Sequence, residues 1–187
     1  NNGNMENYTY SAAGTKLCTT SRTLSVGVLS PMTGVMQQSS AVSPRDGETH
    51  VTYYCGNVIY DGNVTRILTD EGYVTFNGTT PIYHYYLKNH LGNNRVVLGQ
   101  NGAVEQVNHY YPFGGLMGES TGGSTQPYKY NGKELDRTNG LDWCDYGARW
   151  YDPTVPIFMT VDHHCEKYYN ISPYVYCGDN PINAIDP

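Results

Sequence analysis

Short runs of Tyr, Val and Thr alternate along this chain with turns built on Gly and Asn, and little but a β-sheet fold accommodates that rhythm. Tyr8-Thr9-Tyr10 passes through a small-residue turn at Gly14 into a new run at Lys16-Leu17. Residues 51–60 read as a hairpin hinged on Gly56-Asn57, and Asp61-Gly62 and Asn77-Gly78 are strong hairpin turns. Residues 66–68, 73–76, 83–87, 95–98 and 104–111 continue the theme, with turns at 70–72, 89–94 and 100–102. The pattern resumes at 128–134 and 140–143 after a Gly/Ser/Thr loop at 118–126. Residues 24–29 and 34–36 read as two weak strands or one long loop. Short helices are expected at 163–169 and at 173–177, where Ser172 is placed to cap. Units of this kind cannot bury a face alone. They stack into a strip, and a strip needs a cap at its end.

Composition points the same way. Tyr outnumbers Phe 19 to 3, and 21 Gly with 10 Pro break up long helices. The chain of 187 residues suits a single mainly β domain of short antiparallel strands. Residues 1–110 read as its repeat-like half and 111–187 as a capping segment. The net charge of −6 with no basic run argues against nucleic acid as a partner. No apolar run approaches membrane-spanning length. The start at Asn1 without Met, and the end at Asp186-Pro187, read as cuts in a longer polypeptide. Five cysteines without Cys-x-x-Cys spacing argue against a zinc ribbon and read as buried free thiols, with one disulfide as the alternative in an exported parent.

Three residues near the C-terminus stand out. Arg149 sits among aromatics and glycine, where a charge is costly unless exposed or paired. Asp162 follows the apolar run 157–161, and Asp186 follows Ala184-Ile185. Each carboxylate is either a strand-end turn residue or a group held in a low-dielectric site. His163-His164-Cys165 invites a metal reading, but adjacent residues on a strand point to opposite faces. No cofactor is called for.

Several stretches, in order, resemble the Rhs/YD-repeat family and its Rhs repeat-associated core domain, in a version similar to those of gut-type Bacteroidetes. Residues 8–17 resemble a YD repeat, with Ser11 in place of Asp. Residues 84–95, which include His90-Leu91-Gly92, are similar to the family's His-Leu-Gly block. Residues 111–114, 130–134, 140–143, 146–153 and 180–187 are similar to the blocks that follow. The resemblance implies a hollow β-shell of YD repeats, closed by the core domain around a toxin that follows it in the same polypeptide. It implies secretion-system partners and a bacterial protein that is secreted or at the cell surface, cytoplasmic before delivery. It also implies an intramolecular aspartyl protease that frees the toxin by a cut a few residues beyond the second Asp. By position, Arg149, Asp162 and Asp186 fall on its catalytic Arg and two catalytic Asp residues. His163 stands where the family carries Pro, and residues 155–158 replace a Gly-Arg-aromatic segment. A non-catalytic surface or wall-associated YD-repeat module that binds glycans or partner proteins is the alternative.

The chemistry suits those residue types. Two carboxylates sharing a site do not both ionise easily, so one activates water while the other polarises the scissile carbonyl. A guanidinium holds such a pair in register.

Overall fold

The computed structural model describes residues 4–23, 48–123 and 125–186. The weak strands read at 24–29 and 34–36 lie outside them. Among the described residues, nine strands form one antiparallel meander, each paired with its sequence neighbours. They are β1 (Met5–Tyr10), β2 (Lys16–Thr23), β3 (Glu48–Cys55), β4 (Val58–Asp61), β5 (Val64–Thr69), β6 (Gly72–Asn77), β7 (Thr80–Lys88), β8 (Asn94–Gly99) and β9 (Val104–Val107). A second sheet follows with β10 (Glu134–Asp136), β11 (Trp143–Asp145), β12 (Trp150–Asp152) and β13 (Ile157–Phe158), also in sequence order.

The tight turns explain the meander. Asp61 pairs with Val64, so Gly62-Asn63 closes the β4–β5 hairpin, with Gly62 at φ +58°. Gly72 serves a different end. A Cβ there would sit 1.9 Å from the His84 carbonyl oxygen, so only glycine lets β6 and β7 approach.

The strand period of two divides the meander into unlike faces. Tyr53 pairs with Tyr60, Val74 with Tyr83, and Tyr85 with Leu98. Tyr53, Tyr60, Tyr83, Tyr85 and Leu87 on this face are all exposed. The opposite face packs on the second sheet. There Lys16 bridges Glu134 at 3.0 Å and Asp145 at 3.1 Å, Tyr54 donates to Glu134 at 2.7 Å, and Tyr8 to Asp136 at 2.8 Å. Burial works against the Lys16 charge, but Glu134 and Asp145 outweigh it and its pKa lies above the ordinary value.

The core gathers around the second sheet: Tyr130, Leu135, Cys144, Tyr146, Tyr151, Phe158 and Tyr176. Tyr151 stacks on Tyr176 at 4.2 Å, and Tyr146 meets Phe158 edge-on at 5.6 Å. Each phenol of this cluster has an acceptor. Tyr151 donates to the Phe113 carbonyl, Tyr130 to that of Pro112, and Tyr146 and Tyr176 both to Asn131 Oδ1. The preference for Tyr over Phe thus has a structural cause: rings fill the core while hydroxyls tie down irregular backbone.

Some sequence expectations shift. Residues 128–134 are not a continuous strand. Tyr130–Gly132 form a 3-10 turn, with Asn131 at φ +49° and Gly132 at +69°. The strand at 104–111 stops at Val107, because Asn108 turns inward and donates its side chain to the Asn94 carbonyl. The helix at 163–169 is a single 3-10 turn, Cys165–Lys167. No helix forms at 173–177. Ser172 Oγ accepts from the Tyr174 amide, and the 3-10 turn falls later, at Cys177–Asp179. The five thiols are free, yet only Cys144 is buried, and burial pushes it up to about 12.

Candidate functional site

Arg149 is the last residue of the four-residue loop between β11 and β12, where Asp145 pairs with Trp150. The loop closes by the Tyr146 amide donating to the Arg149 carbonyl, and Gly147 takes φ +82°. The Arg149 side chain then lies over the Phe158 ring, 3.6 Å from guanidinium carbon to centroid, and only 11% of it remains exposed. A guanidinium so placed needs anionic partners.

Two carboxylates supply them. Nη1 lies 3.1 Å from Asp162 Oδ2, and Nη2 donates to Asp186 Oδ2 at 3.1 Å. The Nη1 contact is ionic rather than a hydrogen bond, since its N–H finds no well-aligned acceptor. Asp162 is a turn residue as well as an ion-pair partner. Its Oδ1 accepts the His164 amide at 2.6 Å, and its carbonyl accepts the Cys165 amide. Its own amide donates to the Pro173 carbonyl, which fastens the turn to residues 172–175. The His164 amide is the largest cause that holds the Asp162 carboxyl below the usual carboxylate range; burial pulls the other way, and the Arg149 charge adds to the lowering.

Arg149, Asp162 and Asp186 line one cleft of about 180 Å³, with Cys165, Cys177 and Tyr168 among its walls. Burial pushes the Cys177 thiol up, beside Asp186. The three residues singled out in the sequence are therefore brought together, although 37 residues separate Arg149 from Asp186. Sequence reasoning missed the Phe158 platform and the His164 amide. The Asx turn had a local signal, an Asp two residues before a free amide. The platform had none, because only pairing of β12 with β13 sets it under the guanidinium. His163 in place of Pro leaves the Asp162 turn intact, since the donor is the amide one residue later.

Similarity to known proteins extends over nearly the whole chain. The crystal structure of TcdB2-TccC3 superposes with a TM-score of 0.70 at 20% identity, over 97% of this chain and 9% of that one. The fold is one found in TcdB2-TccC3. The TcdB2-TccC3-TEV structure matches at 0.68 with 21% identity over 97% of this chain and 9% of that one. A Tc holotoxin pore of Photorhabdus luminescens matches at 0.69 with 20% identity over 97% and 8%. Salivary gland surface protein 1 of Aedes aegypti is 36% identical over 107 residues, 56% of this chain and 3% of that protein. No family model matches. The chain thus spans less than a tenth of each of these relatives.

Proposed function

We propose that this chain is the Rhs-type core of a larger toxin-like polypeptide, closing a β-shell and carrying a self-cleavage site at Arg149, Asp162 and Asp186. In this reading residues 1–110 continue the shell wall and residues 111–187 cap it. The cargo follows in the same polypeptide, and the parent is exported. The observation that carries the reading is one guanidinium contacting both carboxylates in a single cleft. The TcdB2-TccC3-like fold supports it.

The roles follow from the environments. Asp162, held ionised, accepts a proton from water, and the resulting hydroxide adds to the scissile carbonyl carbon. The substrate strand displaces Nη2 from Asp186, which then takes up one proton from solvent, since two carboxylates sharing a site do not both stay ionised, and delivers it to the carbonyl oxygen. The tetrahedral intermediate breaks its C–N bond as Asp162 passes the proton taken from water to the departing amine, Asp186 takes back the proton it gave, and a new carboxyl remains. Arg149 holds the two acids in register and offsets their charge. The test is a denaturing gel of the parent polypeptide with a C-terminal tag, beside Asp162→Asn and Asp186→Asn. Two bands in the parent and one in each variant support the reading. One intact band in all three, from folded protein, overturns it.

The 36% identity to a surface protein favours a second reading, a non-catalytic surface module that binds glycans or partner proteins. The exposed aromatic face of the meander suits an interaction surface in that case.

A further inference from the structure

Arg66 is the anomaly of this molecule. It lies on β5, opposite Ile59 on β4, and is 8% exposed. Yet its guanidinium takes part in no hydrogen bond or ion pair among the described residues, and its Nε–H is buried without an acceptor. The Tyr73 ring, 5.4 Å away, offsets part of the charge but offers no good acceptor. The phenols of Tyr73, Tyr86 and Tyr128 feel its charge, and none of them is an anion at neutral pH. A guanidinium whose Nε–H is buried without an acceptor carries a desolvation cost that no partner among the described residues offsets.

Arg66 lines a cavity of about 250 Å³ between the two sheets. At roughly 30 Å³ of liquid per water, this is space for far more than one bridging molecule. The acids around it are already engaged. Glu134 accepts from Lys16 and Tyr54, Asp136 from Tyr8 and the Thr138 amide, and Asp61 faces His50 and Thr52. Two further polar atoms on the cavity are unsatisfied. Glu6 Oε1 is one, on a carboxyl whose other oxygen accepts from Asn139 and whose pKa is raised by burial and by Asp136. Thr19 Oγ1 is the other, beside the Tyr54 hydroxyl but without a well-formed hydrogen bond. Of the cationic side chains on the cavity, Arg137 is paired with Asp142 and His50 with Asp61, which leaves Arg66 without an ion-pair partner among the described residues. Ile59, Leu135, Pro127 and the Tyr128 ring supply apolar wall.

We propose that this inter-sheet cavity binds a small organic monocarboxylate, its carboxylate on Arg66 and its apolar body against Ile59, Leu135 and Tyr128. A carboxylate meets the guanidinium with two parallel charge-assisted hydrogen bonds and cancels its charge, which a neutral hydroxyl compound does not. The site is separate from the Arg149 cleft and stands whichever reading of that cleft holds.

The test titrates benzoate, and benzamide as its neutral counterpart, into the folded protein and follows thermal midpoint and heat of binding. Benzoate is expected to bind saturably and raise the midpoint, while benzamide does neither. Arg66→Met is expected to abolish the benzoate effect and, having removed an unpaired buried charge, to melt no lower than the parent without ligand. Arg66→Lys, which keeps the charge but not the fork, is expected to weaken binding at least tenfold. Equal responses to benzoate and benzamide, no response to either, or a benzoate response that survives in Arg66→Met overturns the proposal. Should Arg66→Met fail to fold, Ile59→Trp, which fills the cavity and keeps the guanidinium, decides. Loss of the benzoate response supports the site, and its persistence overturns it.

Discussion

Arg149 Nη2 donates to Asp186 at 3.1 Å, and the neighbouring nitrogen of the same guanidinium lies 3.1 Å from Asp162. One cation therefore ties the β11–β12 loop to the Asp162 turn and to the segment that carries Asp186. That geometry sets what substitutions at the three positions do.

Arg149→Met is expected to destabilise the fold by about 1–3 kcal/mol. Breaking a buried pair costs about 3–5 kcal/mol, but both carboxylates are near one-third exposed, so solvent recovers part of it. Arg149→Lys is expected to recover less than half of the loss, because a single ammonium cannot span both acids. Urea midpoints at constant slope measure both.

Asp162 is expected to shape the acid limb of stability. Its folded-state pKa lies below the unfolded value, so its stabilising effect is full above about pH 4–5 and fades as pH falls through the folded pKa. Unfolding midpoints between pH 2 and 6 are therefore expected to fall less steeply for Asp162→Asn than for the parent. Parallel curves would remove the His164 amide and Arg149 as sources of the shift.

The tyrosine core is expected to fail in alkali. Burial pushes the phenols of Tyr73, Tyr110, Tyr128 and Tyr151 up, Tyr73 to about 12. In the unfolded chain they ionise near pH 10, so above that pH the folded state holds more protons and stability falls as pH rises. Phenolate absorbance and loss of near-ultraviolet circular dichroism are expected to rise together above about pH 10. Smooth phenol titration in a protein that remains folded would contradict this.

Asn131→Leu is expected to cost about 3 kcal/mol. It removes the acceptor of two buried hydroxyls and forces a branched side chain into a left-handed backbone. Tyr146→Phe, which leaves Tyr176 bonded to Asn131, is expected to cost about 1 kcal/mol. Chemical denaturation of the two variants side by side checks the ranking.

The hairpins from residue 51 to Val107 were readable because each signal is local, an alternating run and a turn with Gly or Asn at a fixed offset, whereas β2 beyond Leu17 and its pairing with β3 carried no such signal. The second sheet was harder, because its strands are two or three residues long and lean on partners far away in sequence. Its connecting layer of Asn94, Gln106, Asn108, Gln126 and Lys129 is almost wholly buried. Asn94 and Gln126 read locally as turn and loop, and Gln106, Asn108 and Lys129 as strand. They are inside because Asn94 donates to the Tyr128 carbonyl, Gln126 to the same carbonyl, and Lys129 to that of Gln126. The candidate site was named by resemblance, not by pattern. Residue types alone left Asp162 as either a turn residue or a held carboxylate, and it is both.

The most direct measurement is the intact mass of the parent polypeptide, expressed with the native residues that follow position 187 and purified under native conditions. The self-cleavage account expects two masses that sum to the full chain plus one water, with the new C-terminus within a few residues of Asp186, and a single full-length mass for Asp162→Asn. A single full-length mass for the folded parent would contradict it.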